Sequence, residues 1–407
     1  MSATLFDVVI AGGGPVGWAC ALAAQHSLGK RARIAVVERD PLPVVSAGDA
    51  ISARVYTVAS GNLAWLNAHG VTVDEARSAA VTDIQVFGRD GGDSLAVAAN
   101  DAGQSELARV IEHEALALSI AHGAQRAGVA LISGECIALF EEGGSRTIEL
   151  ADRSLLQSRL VLAADGANSR LRDAVGLEVS RHAYPQHGVV ANLRCTTPHR
   201  DAARQWFLPD GSILALLPLP SMDGTPAVSM VWSAFAARAE LLCSLTEAAL
   251  LSEINAATGD AAGVCAVIGG TRSFPLNLLR VVNPVADRFL AVGDAAHAMH
   301  PLAGQGVNVG LADARCLFDV WQHAPDVHGD PGHALLLSRY RRQRYGPTLA
   351  MQLATDGLFR LYNQVDHPFL MAAGDAGMRL LGRLPVFRRT LHGERRAVAL
   401  ASVAREQ

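Results

Sequence analysis

The sequence predicts an α/β fold in which a parallel nucleotide-binding sheet is interleaved with an antiparallel β-sheet and followed by C-terminal helices. Three observations lead there. The N-terminus reads strand, glycine-rich turn, helix, strand. A late apolar strand stops at Gly293-Asp294 and runs into a glycine-spaced loop. Between them, from about residue 176 to 285, the pattern changes to short strands punctuated by proline and glycine.

The elements follow in chain order. Phe6–Ala11 is an apolar run of the kind found in buried parallel strands. Gly12, Gly14 and Gly17 then fit G-x-G-x-x-G, with Trp18–Ala24 as the helix behind them. The first glycine makes the tight turn, the second admits a pyrophosphate, and the third lets helix and strand pack closely. Ile34–Val37 is the next strand and ends at Glu38, 21 residues after Gly17. An acid there accepts hydrogen bonds from ribose hydroxyls and repels a 2′-phosphate.

Val81–Ala99 reads as a hairpin, Glu106–Arg126 as a helix, Val129–Ser133 as a strand, and Cys136–Leu150 as a second hairpin turning at Gly143-Gly144. Leu160–Ala164 is strand-like and ends in Asp165-Gly166, with Asn168, Ser169, Arg170 and Arg172 behind it. An Asp-Gly after a strand is by itself a common turn. Its place between a dinucleotide fingerprint and a second strand-end acid gives it a nucleotide-binding reading. Gly188–Cys195, Trp206–Leu208, Ile213–Leu217 and Ala227–Ser233 are short strands, interrupted by a helix over Leu245–Ala257. Trp206, Phe207 and Trp232 line either a substrate pocket or the sheet core.

The segment Arg288–Gly310 carries the most chemistry. Phe289–Val292 ends in Gly293-Asp294, presenting one carboxylate at a strand's carboxyl end. Pro301, Gly304, Gly306 and Gly310 follow around Gln305 and Asn308, and the next apolar run reads as a helix. Glycines let backbone N–H groups approach a ligand, and a helix N-terminus favours electron-rich or anionic groups. Such a site suits a cofactor with a hydroxylated chain and an electron-accepting ring. His297 and His300 lack a carboxylate partner in a metal or catalytic motif, and packing behind this loop accounts for them better. After Gly310 the chain reads as helices, with a weak linker at His323–Gly332.

Domains are expected at 1–80 with 100–175 and 285–330 for the nucleotide-binding part, 81–99 with 176–284 for the substrate part, and 331–407 for the C-terminal helices. Half the residues are apolar and the net charge is −4, which points away from nucleic acid. The six cysteines are scattered with no C-x-x-C, which disfavours metal and dithiol readings. No apolar run is long enough for a membrane span and no signal peptide is evident, so a cytoplasmic location is expected.

These motifs together resemble the flavin-dependent aromatic hydroxylases of the para-hydroxybenzoate hydroxylase fold. His300–Ala314, HPLAGQGVNVGLADA, resembles the ubiquinone-biosynthesis hydroxylases more closely still. Arg54–Ala59, Trp206–Gly211 with Leu216–Leu219, and Ala354–Leu358 add to the likeness, which spans Asp7 to about Arg396.

The resemblance implies a Rossmann-like FAD-binding domain and FAD as cofactor, with NAD(P)H as transient reductant. Gly12, Gly14, Pro15 and Gly17 would surround the pyrophosphate, and Glu38 with Arg39 the adenosine ribose. Arg54 would contact the cofactor near its phosphates and ribityl chain, although a surface ion pair would also account for it. Asp165 would lie beside the pyrophosphate, and Gly293 and Asp294 at the ribityl chain. Pro301, Gly304, Gln305 and Gly306 would lie against the flavin ring as the catalytic loop, continued by Val307 and Asn308. His113 stands where the family has Asn or Arg.

The implied reaction is O₂-dependent hydroxylation of an aromatic ring through a flavin C4a-hydroperoxide. The implied substrate is a polyprenyl phenol of ubiquinone biosynthesis. A prenylated substrate implies a peripheral place at the inner face of the membrane or in a quinone-biosynthesis complex. The arginines from Arg379 to Arg396 could dock on lipid or pack as terminal helices. Two alternatives stay open: a flavin monooxygenase on another aromatic substrate, from secondary metabolism or phenol catabolism, and a non-catalytic flavin-bound subunit of a biosynthetic complex.

Overall fold

Apolar strands that end at glycine turns build the expected parallel sheet. The computed structural model describes residues 5–45, 51–89, 93–261, 263–299, 306–323 and 329–364. β1 (Leu5–Ala11) leads through Gly12–Gly14 into α1 (Pro15–Leu28), and β2 (Ile34–Glu38) returns parallel to β1. Next come β3 (Val55–Ala59), α2 (Ser60–Ala68), β4 (Ser78–Val81), β5 (Asp83–Phe87), β6 (Asp93–Ala98), β7 (Ala108–Glu112) and α3 (His113–Ala127). β8 (Ala130–Ser133) rejoins β2, and β9 (Cys136–Glu142) and β10 (Ser145–Leu150) form a hairpin against β11 (Leu155–Ala163).

After α4 (Arg170–Ala174) come β12 (Val179–Cys195), β13 (Ala202–Phe207), β14 (Ile213–Met222), β15 (Thr225–Phe235), α5 (Ala236–Ser244), α6 (Glu247–Thr258) and β16 (Val264–Val281). β17 (Val285–Ala286) and β18 (Phe289–Ala291) return to the first sheet, and β19 (His297–Ala298) pairs with β16. α7 (Gly306–Gln322) and α8 (Ala334–Gln364) follow.

The first sheet runs β17-β18-β11-β1-β2-β8, extended at β11 by the hairpin. Its central strands are buried on both faces, which is why they lack polar alternation. Val8, Ile10, Val36, Leu160 and Leu162 pack under α1, α3 and α7. Val9, Val37, Val161 and Ala163 pack under the β9–β10 hairpin and Leu171 of α4. The second sheet runs β19-β16-β12-β15-β14-β13-β5-β6 and is antiparallel except where β13 meets β5. A third, small sheet runs β3-β7-β4.

Three sequence readings change. Glu106–Arg126 is not one helix, because Ala108–Glu112 is a strand held between β3 and β4. The pairing is long-range, so local helical periodicity gives no sign of it. The short strands expected around Gly188–Cys195 belong to an 17-residue strand paired with an 18-residue one, β12 with β16. Register shifts at Ala183/His187, Val190/Asn192 and Arg194/Cys195 break their period of two. Trp206 and Trp232 lie in the core beneath α5 and α6, whereas Phe207 packs on the opposite face with Tyr184, Leu276 and Phe359. The turn at Asp90–Gly92 and the arginine-rich C-terminal segment lie outside the described residues.

α1 approaches the glycine turn, and α7 approaches α1, more closely than side chains normally allow. A Cβ at Gly17 would stand 2.0 Å from the Gly12 carbonyl oxygen, and one at Gly310 of α7 would stand 2.4 Å from Val16 Cγ2 on α1. Below this contact, Asp313 of α7 is fully buried and charged. It accepts hydrogen bonds from Gly293 N at 2.9 Å and Arg344 Nε at 2.7 Å, and its Oδ2 lies 2.7 Å from His297 Nε2. Burial alone would raise its pKa, but His297, Arg344 and the Gly293 N–H outweigh that and hold it well below the usual carboxylate range.

Two stability outcomes follow. Gly310→Ala should cost about 1–3 kcal/mol in urea unfolding, and less in a Val16→Ala background, where the new methyl has room. Equal costs in both backgrounds would show that the α1–α7 approach is not the constraint. Asp313→Ala should cost about 3–5 kcal/mol, because it strands the buried Arg344 cation. A carboxylate with a lowered folded-state pKa stabilises fully above its unfolded value of about 3.9 and less as pH falls below it. The difference between wild type and Asp313→Ala in melting temperature should therefore be constant near neutrality and shrink below about pH 4.

Candidate functional site

Strand register gathers the sequence-predicted acids at one edge. Ala11 of β1, Ala163 of β11 and Ala291 of β18 are aligned partners across three parallel strands. The ladder continues past them, with Gly12 N bonded to Val37 O at 2.9 Å, Ala164 N to Ala11 O at 2.8 Å and Val292 N to Ala163 O at 3.0 Å. Glu38, Gly12, Asp165 and Gly293-Asp294 therefore leave the sheet at the same level, outside its carboxyl ends. That is where open α/β sheets bind ligands.

Each glycine of the N-terminal turn has its own reason. Gly12 sits at φ +106°, and a Cβ there would come within 2.4 Å of Ala164 O. Gly17 is excluded from carrying a Cβ by Gly12 O, as above. At Gly14 a Cβ would meet nothing within 4 Å, so that position opens onto free space in front of α1. Pro15 occupies the first turn of α1, where it forfeits only an N–H that the helix could not use. The remaining first-turn N–H groups have no partner within the helix and suit an anion.

Glu38 accepts hydrogen bonds from Gly13 N through Oε2 and from Asp40 N through Oε1. These hold the carboxylate beside the glycine turn with lone pairs to spare. Arg39 is exposed and paired with Asp40. Asp165 accepts from Arg170 N at 3.1 Å, and burial raises its pKa. Both Asp165 and Glu38 act on the neighbouring Cys136 thiol, which burial first and these charges second push up to about 12.

The other end of the edge has a different character. Asp294 sits in the tight turn Gly293–Ala295. Solvent reaches its side chain, but the surrounding protein desolvates the carboxylate and raises its pKa. The Tyr56 hydroxyl lies 3.1 Å from His113 Nδ1, and the Arg54 guanidinium stands 5.4 Å over the Tyr56 ring. Burial pushes the Tyr56 pKa up to about 12, with Arg54 opposing and Asp294 adding. Burial and Arg54 lower that of His113. Arg54, Tyr56, His113 and Asp294 thus form one electrostatic cluster, with Arg54 exposed rather than tied into a surface ion pair among the described residues.

At the start of α7, a Cβ on Gly306 would meet nothing within 4 Å. Val307 is in the hydrophobic core. The Asn308 side chain is spent inside the protein: Oδ1 accepts from Ala59 N at 2.8 Å and Asn62 Nδ2 at 3.0 Å, and Nδ2 donates to Thr57 O at 2.7 Å. What Gly306, Val307 and Asn308 can offer a ligand is their backbone N–H groups, and Asn308 fixes where the helix begins. Pro301, Gly304, Gln305 and His300 lie outside the described residues. His297 is buried and packed behind this segment through Asp313, as its sequence context suggests.

Sequence reasoning passed over Asp313, Arg344 and Tyr56. A signal for Asp313 exists, since it is a lone acid on the buried stripe Val307, Gly310, Leu311, Ala314, Leu317. Arg344 has none, because four arginines crowd Arg339–Arg344 and only packing selects one.

The geometry fits FAD. A glycine cradle at a helix N-terminus faces its pyrophosphate, a fixed carboxylate faces its ribose, and a second, desolvated carboxylate lies at the far end for its hydroxylated chain. Relatives of similar length agree. The chain is 31% identical over 373 residues to the ubiquinone hydroxylase UbiL of Rhodospirillum rubrum, covering 90% of this chain and 84% of that one. It is 30% identical over 388 residues to the 3-demethoxyubiquinol 3-hydroxylase of Escherichia coli, covering 91% and 95%. Against the rat mitochondrial ubiquinone biosynthesis monooxygenase COQ6 it is 30% identical over 417 residues, covering 90% and 86%.

Among solved structures, Pseudomonas aeruginosa PqsL in complex with 2-aminobenzoylacetate superposes with a TM-score of 0.75 at 20% identity, covering 92% of this chain and 100% of that one. The p-nitrophenol 4-monooxygenase PnpA of Pseudomonas putida gives 0.71 at 19%, covering 96% and 97%. At those identities the structures speak for the fold. The family model described as FAD binding domain matches residues 5–352, and the chain belongs to that family, with FAD as its cofactor.

Proposed function

We propose that this protein is an NAD(P)H- and O₂-dependent FAD monooxygenase that hydroxylates the aromatic ring of a polyprenyl phenol on the route to ubiquinone. One observation carries the reading: Glu38, the glycine turn, Asp165 and Asp294 share a single edge of the sheet, with Glu38 and Asp294 on the outer strands of that group. Full-length likeness to relatives named for ubiquinone hydroxylation supports the substrate class.

When bound and reduced, FAD supplies the activation of O₂ and the delivery of one oxygen atom to the ring. The protein's own groups do the rest. Glu38 accepts the adenosine ribose hydroxyls, with Arg39 beside it at the surface. Backbone N–H groups at Gly14 and the first turn of α1 meet the pyrophosphate, and Asp165 lies alongside. Asp294 accepts hydroxyls of the ribityl chain, and Arg54 lends positive charge there. His113 contributes through Tyr56, which it holds. The first-turn N–H groups of α7, at Gly306, Val307 and Asn308, would stabilise negative charge that develops on the reduced ring, as an oxyanion hole would. By the family resemblance, Pro301, Gly304 and Gln305 would act at the same ring.

A prenylated substrate brings the enzyme to a membrane surface. Among the described residues no helix is long and apolar enough to cross a membrane, and a peripheral position suits the reading.

Gly14→Val should leave the melting temperature of FAD-free protein unchanged, because its side chain enters open space. It should weaken FAD binding at least about tenfold, read from retained flavin absorbance after dialysis. Undiminished binding would place the pyrophosphate elsewhere. For the reaction, quinone intermediates in a strain lacking the gene should be profiled by mass spectrometry. A prenylated phenol one oxygen short, with ubiquinone lost, is expected and identifies the ring position. A normal quinone profile would move the substrate to another class of aromatic.

A further inference from the structure

Arg54 is exposed, and among the described residues no carboxylate holds its guanidinium. Where that charge stands is therefore set chiefly by the backbone that carries it. The chain from Ile51 to Arg54 belongs to no helix or strand. Its backbone groups must find partners outside it, and those partners fix its path.

Three elements supply them. Asn192 of β12 donates through Nδ2 to two successive carbonyls, Ile51 O at 2.9 Å and Ser52 O at 3.0 Å. Glu112 of β7 accepts from Ser52 N at 2.9 Å through Oε2, while its Oε1 lies 3.1 Å from Arg77 Nη1. His113 N, at the start of α3, donates to Arg54 O at 2.9 Å. Ser52 closes the segment on itself, its hydroxyl accepting from Arg54 N at 3.3 Å.

Asn192 differs from the others in origin. Glu112 pairs with Val55 and His113 follows it, so both arrive with the β3–β7 pairing. Asn192 belongs to the second sheet, 140 residues beyond Ser52, where its backbone aligns with Ser229 and Ile268. It is 1% exposed. An amide buried so deeply costs free energy unless its hydrogen bonds are made, and its Nδ2 group spends its protons on Ile51 and Ser52. The register of β12 against β16 shifts between Val190 and Asn192, and a shift of that kind re-aims a side chain.

We propose that Asn192 is a positioning residue for the cofactor: by gripping Ile51 and Ser52 it fixes the backbone that carries Arg54, and so holds the guanidinium where it meets the negative charge of FAD. This role rests on the assignment of Arg54 to FAD above, and it makes the second sheet a determinant of cofactor affinity.

FAD affinity is measured by diluting FAD-loaded, full-length protein and following the flavin fluorescence released, for wild type, Asn192→Ala, Arg54→Ala and the double variant. Asn192→Ala should weaken binding at least about tenfold, on the scale of one lost hydrogen bond to a charged group. Added to Arg54→Ala, the same change should cost no more than about twofold, because the cation it positions is gone. Wild-type affinity should fall with added salt, and both single variants should show a shallower fall, which a merely loosened fold would not give. Asn192→Leu keeps the side chain's volume without its donors and should repeat the result if Asn192→Ala fails to fold. Three outcomes would each overturn the role: wild-type affinity in both Asn192 variants, an equal loss with and without Arg54, or a wild-type salt dependence in Asn192→Ala. If Arg54→Ala binds FAD like wild type, the assignment of Arg54 falls and this role with it. If Arg54→Ala weakens binding and the Asn192 variants do not, Arg54 keeps its assignment and only the role of Asn192 falls.

Discussion

A single buried carboxylate sets the geometry on which the cofactor edge depends. Asp313 lies inside the protein with no solvent to share its charge, so it must be matched by donors on every side. Those donors come from three elements: Gly293 N from the turn after β18, His297 from β19, and Arg344 from α8. Satisfying one charge therefore fixes three segments against α7. The first of them carries Asp294, which lies in the chain between Gly293 and His297. An ion group with one member missing is far more costly than no ion group at all, which makes the arrangement all-or-none and the Asp294 turn correspondingly rigid.

The same logic of forced proximity acts one turn away on α7. Gly310 lets α7 touch Val16 of α1, and Gly17 lets α1 touch the Gly12 turn. The starts of α1 and α7 are thereby brought toward the same sheet edge, and both present first-turn N–H groups to what lies there. The two ends differ in chemistry. Around Glu38 and Asp165 carboxylates are anchored by backbone donors, with burial raising the pKa of Asp165. Around Asp294 the groups are desolvated and mutually shifted, as the Tyr56 and His113 pKa directions record. A cofactor that binds by its nucleotide and reacts at its ring needs that contrast.

Much of this was readable from the chain. Gly12, Gly14, Gly17 and Glu38 are separated by short, nearly invariable geometry, so their spacing carries their placement. Gly293-Asp294 was readable because a strand that stops at an acid exposes it. The small sheet β3-β7-β4 was not, since Ala108–Glu112 finds its partners some 50 residues away at Val55–Ala59. The sequence marks only Gly188–Cys195 of β12 as a strand and none of β16, because bulges reset the side-chain alternation that marks a strand. Asn308 looked like a ligand residue, yet its amide is consumed in holding Ala59, Asn62 and Thr57.

The sequence by itself determined the nucleotide-binding class, the glycine turn, and which strand ends carry acids, because these depend on neighbours a few residues apart. Only the tertiary structure decided which buried charge is paired with which, that Trp206 and Trp232 belong to the core, and that Asp313 rather than His297 organises the loop behind Asp294. Those outcomes depend on desolvation and close packing between elements far apart in the chain, and neither quantity exists until the chain has folded.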